Sequence, residues 1–196
     1  MSDVILRIGT DFRDAGAFGH RLLSDYGDMN SGYMNMAKTK EIKTNAMRLL
    51  EKKKIPFRVV QYECEAFTDG IAVSEKTGIP VEMSFKTLVT EGKSGNYFVF
   101  VIPVAQELDL KAAARAVGEK SVEMIHVKDI NKVTGYIRGG CSPLGMKKQY
   151  VTVIDSSVLE LEEAAVSGGR IGSTIILRPA DLIAAAGAKT AALTVR

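Results

Sequence analysis

Apolar residues fall at helical spacing in MAKTKEIKTNAMRLLEKKKIPF, where Ile42, Ala46, Leu49 and Leu50 share one face and Thr44 stands where an N-cap belongs. The period then shortens. After Pro56, FRVVQY is rich in β-branched and aromatic residues and predicts a first strand, followed by a loop through Phe67, Thr68, Asp69 and Gly70. A short helix over Ile71 to Lys76 should end at Gly78. SFKTLVTEGKSGNYFVFVIP holds two β-rich runs around Gly92, Lys93, Ser94, Gly95 and Asn96, the pattern of an antiparallel hairpin. Asp109 is placed to cap LKAAARAVG, which Gly118 stops; VEMIHV predicts a strand and KDINKVTG a helix ending at Gly135.

The last third alternates again. GYIRGGCSPLG is a glycine-rich loop, YVTVID a strand, EEAAVSGGR a strand into a turn, STIILRP a strand, and ADLIAAAG a terminal helix stopped by Gly187. Strands outnumber the helices available as right-handed crossovers, which disfavours a doubly wound parallel sheet. The fold class is α/β of the α+β kind: a curved, mainly antiparallel mixed sheet or partial barrel with peripheral helices. No repeat of 20–50 residues is visible.

Residues 1–40 fit this pattern least. They balance five basic against five acidic groups, carry six glycine or asparagine residues between Gly16 and Asn35, and hold no sustained period of 3.6 or 2. They read as an appendage, with the compact domain spanning 41–196 and Met36 as the expected biological start. The whole chain has 196 residues, 46% hydrophobic and 25% charged, which suits one folded domain and excludes wholesale disorder. No apolar run approaches the ~18 residues of a spanning helix, and Asp3, Arg7 and Asp11 interrupt the apolar core a secretory signal needs. Cys64 and Cys141 cannot build a disulfide scaffold, so a reducing cytoplasm is the expected location. Net charge is only +3, but residues 41–60 carry six basic and two acidic groups while 61–100 carry three and six. That skew permits contact with nucleic acid without demanding it.

The candidate chemistry is defined partly by what is scarce. Only His20 and His126 are present, so a Ser-His-Asp or Cys-His site is improbable, and neither histidine has a ligand partner at metal-binding spacing. No metal or cofactor is expected. Cys141 has no histidine or lysine beside it in sequence to lower its pKa and reads as a small loop or core residue; Cys64, between Glu63 and Glu65, reads as structural. His126, in an apolar strand-like run, reads the same way. Lys86 is more informative: in FKTLVT it shares a strand face with Leu88 and Thr90, so it either snorkels at a sheet edge or faces a cleft. In a cleft, its ammonium would hold a phosphate or polarise a carbonyl. Gly135, Gly139, Gly140 and Gly145 surround Pro143, either as plain turns or as a loop aiming N–H groups at an anion or carbonyl oxygen. The loop is not a P-loop, because the GxxxxGK[ST] order is missing. Lys52, Lys53 and Lys54 end a helix, where cations suit the dipole, and GGR at 168–170 suits a hairpin turn.

Taken together, SFKTL at 84–88, TGYIRGGCSPLGMKK at 134–148 and VSGGRIG at 166–172 resemble the YbaK/EbsC family of aminoacyl-tRNA deacylases, in order and with compatible spacing from about Thr44 to Gly187. The resemblance implies an α/β domain related to the editing domain of bacterial prolyl-tRNA synthetases. The implied task is removal of cysteine wrongly attached to proline tRNA, since FKTL with GG-x-SPLG-x-KK matches the cysteine-clearing branch. Mischarged aminoacyl-tRNA and prolyl-tRNA synthetase are the implied partners. Lys86 matches the family's essential lysine, Thr87 the adjacent pocket residue, Tyr62 the aromatic lining the pocket, and Phe67 a second pocket aromatic. Gly139 and Gly140 match the two glycines of the GG loop, whose N–H groups would stabilise a developing oxyanion. Ser173 or Thr174 falls in a strand that contributes to the pocket, with Thr174 taken as the candidate. Within this family the thiol of the substrate is held to attack its own ester, so no protein nucleophile is needed. Two alternatives remain at this level: clearance of alanine or serine through an activated water, and a non-catalytic tRNA- or synthetase-binding module using the basic 41–60 segment.

Overall fold

A computed structural model describes residues 5–8, 43–64 and 69–195. In chain order its elements are β1 (Ile5–Ile8), α1 (Asn45–Lys52), β2 (Arg58–Gln61), α2 (Gly70–Thr77), β3 (Phe85–Gly92), β4 (Tyr97–Pro103), α3 (Leu110–Val117), β5 (Val122–Met124), α4 (Ile130–Thr134), β6 (Val151–Asp155), β7 (Ala164–Ser167), β8 (Ser173–Leu177), α5 (Pro179–Ala186) and β9 (Lys189–Ala191). The helix ends follow from their caps. Thr44 Oγ1 accepts from the Met47 N–H at 3.3 Å and donates to the Gly168 carbonyl at 2.5 Å, so one side chain starts α1 and ties it to the β7–β8 turn. Asp109 Oδ1 accepts from the Lys111 and Ala112 amides, and Gly118 closes α3 in the left-handed conformation.

The strands form two sheets. One has the order β1-β2-β8-β7 and is antiparallel throughout; the other has the order β5-β3-β4-β6-β9. In the second, β5-β3 and β3-β4 are antiparallel, while β4-β6 and β6-β9 are parallel. A single parallel bridge between Ser84 and Ala165 joins the sheets, so the surface curves without closing into a barrel. The mainly antiparallel α/β expectation therefore holds, in the two-sheet rather than the barrel form.

Three differences from the sequence expectations have local causes. Ile5–Ile8, inside the expected appendage, pairs with β2 as an edge strand; four residues are too few to register as a period. The rest of 1–40, Met36 included, lies outside the described residues. VEMIHV yields only the three residues of β5, because β3 offers partners to Val122–Met124 alone and the chain then turns at His126 into a short 3-10 turn. The hairpin strand runs through Gly92, whose amide donates to the Asn96 carbonyl at 2.8 Å, shortening the loop to Lys93–Asn96.

Alternation along β3 sorts two cores. Phe85 packs with Val101, Ile154, Val166, Ile175 and residues of α1 and α5 between the sheets, while Leu88 packs with Phe98, Phe100, Ile102 and α3 on the other face. Phe100, Ile102 and Ile154 are fully buried, each contributing about 1.5–3 kcal/mol by leaving water. These cores fix β3 and β4, and with them the polar residues at their ends.

Candidate active site

The antiparallel alternation of β3 decides what it presents. The Val104 amide donates to the Ser84 carbonyl, so residues 84, 86, 88 and 90 bond toward β4, and 85, 87 and 89 turn their backbone groups the other way. On that other side β5 pairs only with Thr90–Gly92, and the last bond is from the Ile125 amide to the Val89 carbonyl at 3.2 Å. Beyond it the edge of β3 opens onto a cavity of about 600 Å³. Its walls come from the start of α2, from β3, from the loop after β5, from α4, from the glycine-rich loop and from β7 and β8.

Five of the seven residues singled out in the sequence meet there: Tyr62, Lys86, Thr87, Gly139 and Thr174. Phe67 lies outside the described residues. Gly140 does not line the cavity. Its amide donates to the Ile137 carbonyl at 3.0 Å, closing a turn, so it is not available as an oxyanion donor and that expectation is corrected. A glycine is nonetheless required, because a Cβ at Gly140 would stand 2.9 Å from Arg170 Cα. Gly139 has φ +82° and lines the cavity, and its amide has no hydrogen-bond partner among the described residues.

Lys86 settles both alternatives at once, being at a sheet edge and in a cleft. Its Nζ donates to the Val104 carbonyl at 3.0 Å. Burial lowers its pKa from the ordinary 10.5, opposed by the negative charges of Glu107 and Asp69, which favour the ammonium. Asp69 is held in place by accepting from the Ile71 and Ala72 amides at 3.0 Å each, as the N-cap of α2. The helix is anchored to the root of β3 by a buried bond between Ser74 Oγ and Ser84 Oγ at 2.9 Å. Next to Lys86, Thr87 Oγ1 is buried without a hydrogen-bond partner, and Ser173 Oγ shares that condition. Leaving such groups unpaired is costly in a finished core, and both residues line the cavity.

Tyr62 closes the opposite wall. Its amide donates to Gly172 at 3.0 Å and its side chain is hydrogen-bonded to Thr174. Burial, and after it the neighbouring Cys64, raises its pKa, so the phenol stays neutral. The glycine-rich loop is held by Tyr136, whose hydroxyl donates to the Leu144 carbonyl at 2.6 Å and to Gly145 at 3.1 Å. Burial and then the nearby Cys141 push that hydroxyl's pKa up to about 12, which suits a permanent donor. Cys141 itself is pushed up to about 11 by burial, against a hydrogen bond from Thr134, so it carries no thiolate at neutral pH. Among the described residues no three His, Cys, Asp or Glu side chains stand close enough to hold a metal ion, and no helix is long and apolar enough to cross a membrane.

Sequence reasoning missed Asp69 and Glu107 as the carboxylates facing Lys86. Asp69 stands in the loop predicted before the α2 helix, and nothing local places either carboxylate near β3. Arg138, inside the GYIRGG motif, also lines the cavity.

Comparison with known proteins supplies the family. Residues 66–185 match the sequence model of the aminoacyl-tRNA editing domain. The chain is 43% identical over 163 residues to a protein of Enterococcus faecalis (strain ATCC 700802 / V583) named as a Cys-tRNA(Pro)/Cys-tRNA(Cys) deacylase, EbsC, covering 82% of this chain and 99% of that one. A solved structure described as a trans-editing enzyme for prolyl tRNA synthetase superposes with TM-score 0.69 at 25% identity, covering 80% of this chain and 100% of the other. The hypothetical protein APE2540 shares the fold at TM-score 0.70 and 22% identity, over 78% of this chain and 100% of its own. By the domain match and by the identity across most of both sequences, the chain belongs to the aminoacyl-tRNA editing domain family.

Proposed function

We propose that the protein releases cysteine wrongly esterified to proline tRNA, and cysteine from its own tRNA, with the substrate thiol as nucleophile. The observation that carries this reading is a cavity holding a half-buried ammonium, Lys86, and unpaired polar groups at Thr87, Ser173 and Gly139, with no activated serine, cysteine or histidine among the described residues that line it. Such a site can orient and stabilise, and a nucleophile carried by the substrate itself would complete it.

In the step proposed, the cysteinyl sulfur attacks its own ester carbonyl. A carbon–sulfur bond forms, the bond from that carbon to the terminal ribose oxygen breaks, and the thiol proton ends on that oxygen. The products are free tRNA and a cyclic thiolactone, which water opens to cysteine. Negative charge develops on the carbonyl oxygen, where the Lys86 ammonium and the Gly139 amide are the available donors. Thr87 Oγ1 and Ser173 Oγ would take the amino group and carbonyl side of the aminoacyl moiety. A relative named for the same two cysteinyl substrates supports the choice of amino acid. Prolyl-tRNA synthetase is the partner this reading implies, and the cytoplasm its place of work.

Single-turnover deacylation of Cys-, Ala- and Ser-charged tRNA(Pro), with mass spectrometry of the product, tests it. Loss of the cysteinyl ester alone, with thiolactone detected, is the expected result. Release of alanine or serine at comparable rates would show water activation instead.

A further inference from the structure

A second hollow, of about 520 Å³, lies between the start of β4, the end of α4 and the segment Lys147–Val151. Its lining includes Lys132, Lys147 and Lys148 together with Tyr97 and Tyr150, and among the described residues it contains no acidic side chain. The three lysines are exposed. Lys147 Nζ donates to the Asn131 carbonyl at 3.1 Å, a cation satisfying the open end of a short helix. That role accounts for one lysine only: Lys132 and Lys148 make no hydrogen bond or ion pair among the described residues.

The hollow is also held rigidly. The Lys147 amide donates to the Thr134 carbonyl at 3.0 Å, Tyr150 Oη to Val133 at 2.8 Å, and Gln149 Nε2 to Ala186 at 3.0 Å. Tyr97 meets the Tyr150 ring edge-on, with centroids 6.3 Å apart and an interplanar angle of 88°. Uncompensated lysines beside half-buried aromatic rings are the ingredients of single-stranded nucleic-acid grooves: cations for phosphates, ring faces for bases. In the basic 41–60 segment Arg58 and Lys43 are paired with Glu163 and Glu51, and Lys52, Lys53 and Lys54 stand at the C-terminal end of α1.

The position of α4 supplies the second argument. Ile130 lines the first cavity and Lys132 the second, and residues two apart on a helix point about 200° apart. The helix thus separates the two hollows. A helix is ~10 Å across with its side chains, or about three nucleotides at ~3.4 Å of stacked rise.

We infer that this groove binds the sugar-phosphate backbone of the single-stranded 3′ end of the RNA, about three nucleotides upstream of the residue esterified in the Lys86 cavity. The inference rests on the reading of the substrate as an RNA ester, but its test does not use deacylation. Uncharged single-stranded RNA of two and of six nucleotides is titrated by fluorescence anisotropy between 50 and 200 mM salt, with wild type and the K132Q/K147Q/K148Q variant. Each phosphate neutralised on a single strand contributes about −0.7 to the salt slope, so three contacts contribute about −2. The variant should lose about that much slope on the six-nucleotide RNA and bind it at least about tenfold more weakly at 50 mM salt. The two-nucleotide RNA should not distinguish the proteins. Unchanged affinity and slope on the six-nucleotide RNA would overturn the assignment, as would equal losses on both lengths.

The K132Q/K148Q variant leaves the Lys147 contact to Asn131 in place, so it decides the matter if the triple variant unfolds. Its expected slope change is about 1.4. Lysine-dependent RNA binding by a protein that releases no amino acid would sink the proposed function and leave the groove standing; deacylation with lysine-independent RNA binding would do the reverse.

Discussion

Lys86 and the trio Lys132, Lys147 and Lys148 stand on opposite sides of α4 and meet different solvents. Lys86 is half-buried among apolar walls, its charge discouraged by desolvation and sustained by Asp69 and Glu107. The trio is exposed to water and salt. A charge in a low-dielectric cleft acts strongly on one atom at short range, whereas exposed charges act weakly, additively and through counterion release. The first arrangement suits a reacting carbonyl and the second a polyanionic tail.

The largest expected effect separates the two at once. Lys86→Ala should lower single-turnover deacylation by about 10²–10³-fold, the usual cost of removing one oxyanion donor, with the salt slope of RNA binding unchanged. A variant that instead bound RNA poorly with normal turnover would move Lys86 to the docking side. The K132Q/K147Q/K148Q variant should do the converse in a deacylation assay, raising KM for charged tRNA about tenfold at low salt while kcat holds.

Thr87→Val sharpens the contrast between ligand contact and structural bond. Because Thr87 Oγ1 is buried without a partner, its removal should leave thermal stability unchanged or slightly raised. Activity should fall by about 3–10-fold, the loss of one hydrogen bond of about 0.5–1.5 kcal/mol. A drop in melting temperature together with unaltered kcat/KM would assign the hydroxyl to folding. The pH profile probes Lys86 again. Its lowered pKa means the ammonium is present below that value and lost above it, so the alkaline decline in kcat should have its midpoint below 10.5, measured as excess over spontaneous ester loss. A decline absent up to the ordinary lysine range would show that its charge is not needed. The smallest effect is expected of Cys141→Ala: with its thiol half-buried in the cavity wall and its pKa pushed up to about 11, turnover should change by less than about twofold, and iodoacetamide should leave wild type active.

Much of this was legible beforehand, for reasons that differ by residue. Caps at Thr44 and Asp109 and stops at Gly78, Gly118, Gly135 and Gly187 were readable because capping is decided within a few residues. The Gly140 amide was misjudged: a glycine pair in a loop can serve either a turn or an anion, and only the bond to Ile137 shows which. The strand at Ile5–Ile8 escaped notice because its pairing partner, β2, is some fifty residues away.

The sequence by itself determined most of the elements from α1 to α5, their order and the family motifs, since propensity, capping and composition act over short stretches; β1 and β9 were not legible in it. Tertiary structure alone decided that β5 stops short and opens the edge of β3, that Asp69 and Glu107 face Lys86, and that α4 stands between the Lys86 cavity and a basic hollow. Those outcomes depend on which distant strands and helices share a core, and on how much water that packing leaves around each charge.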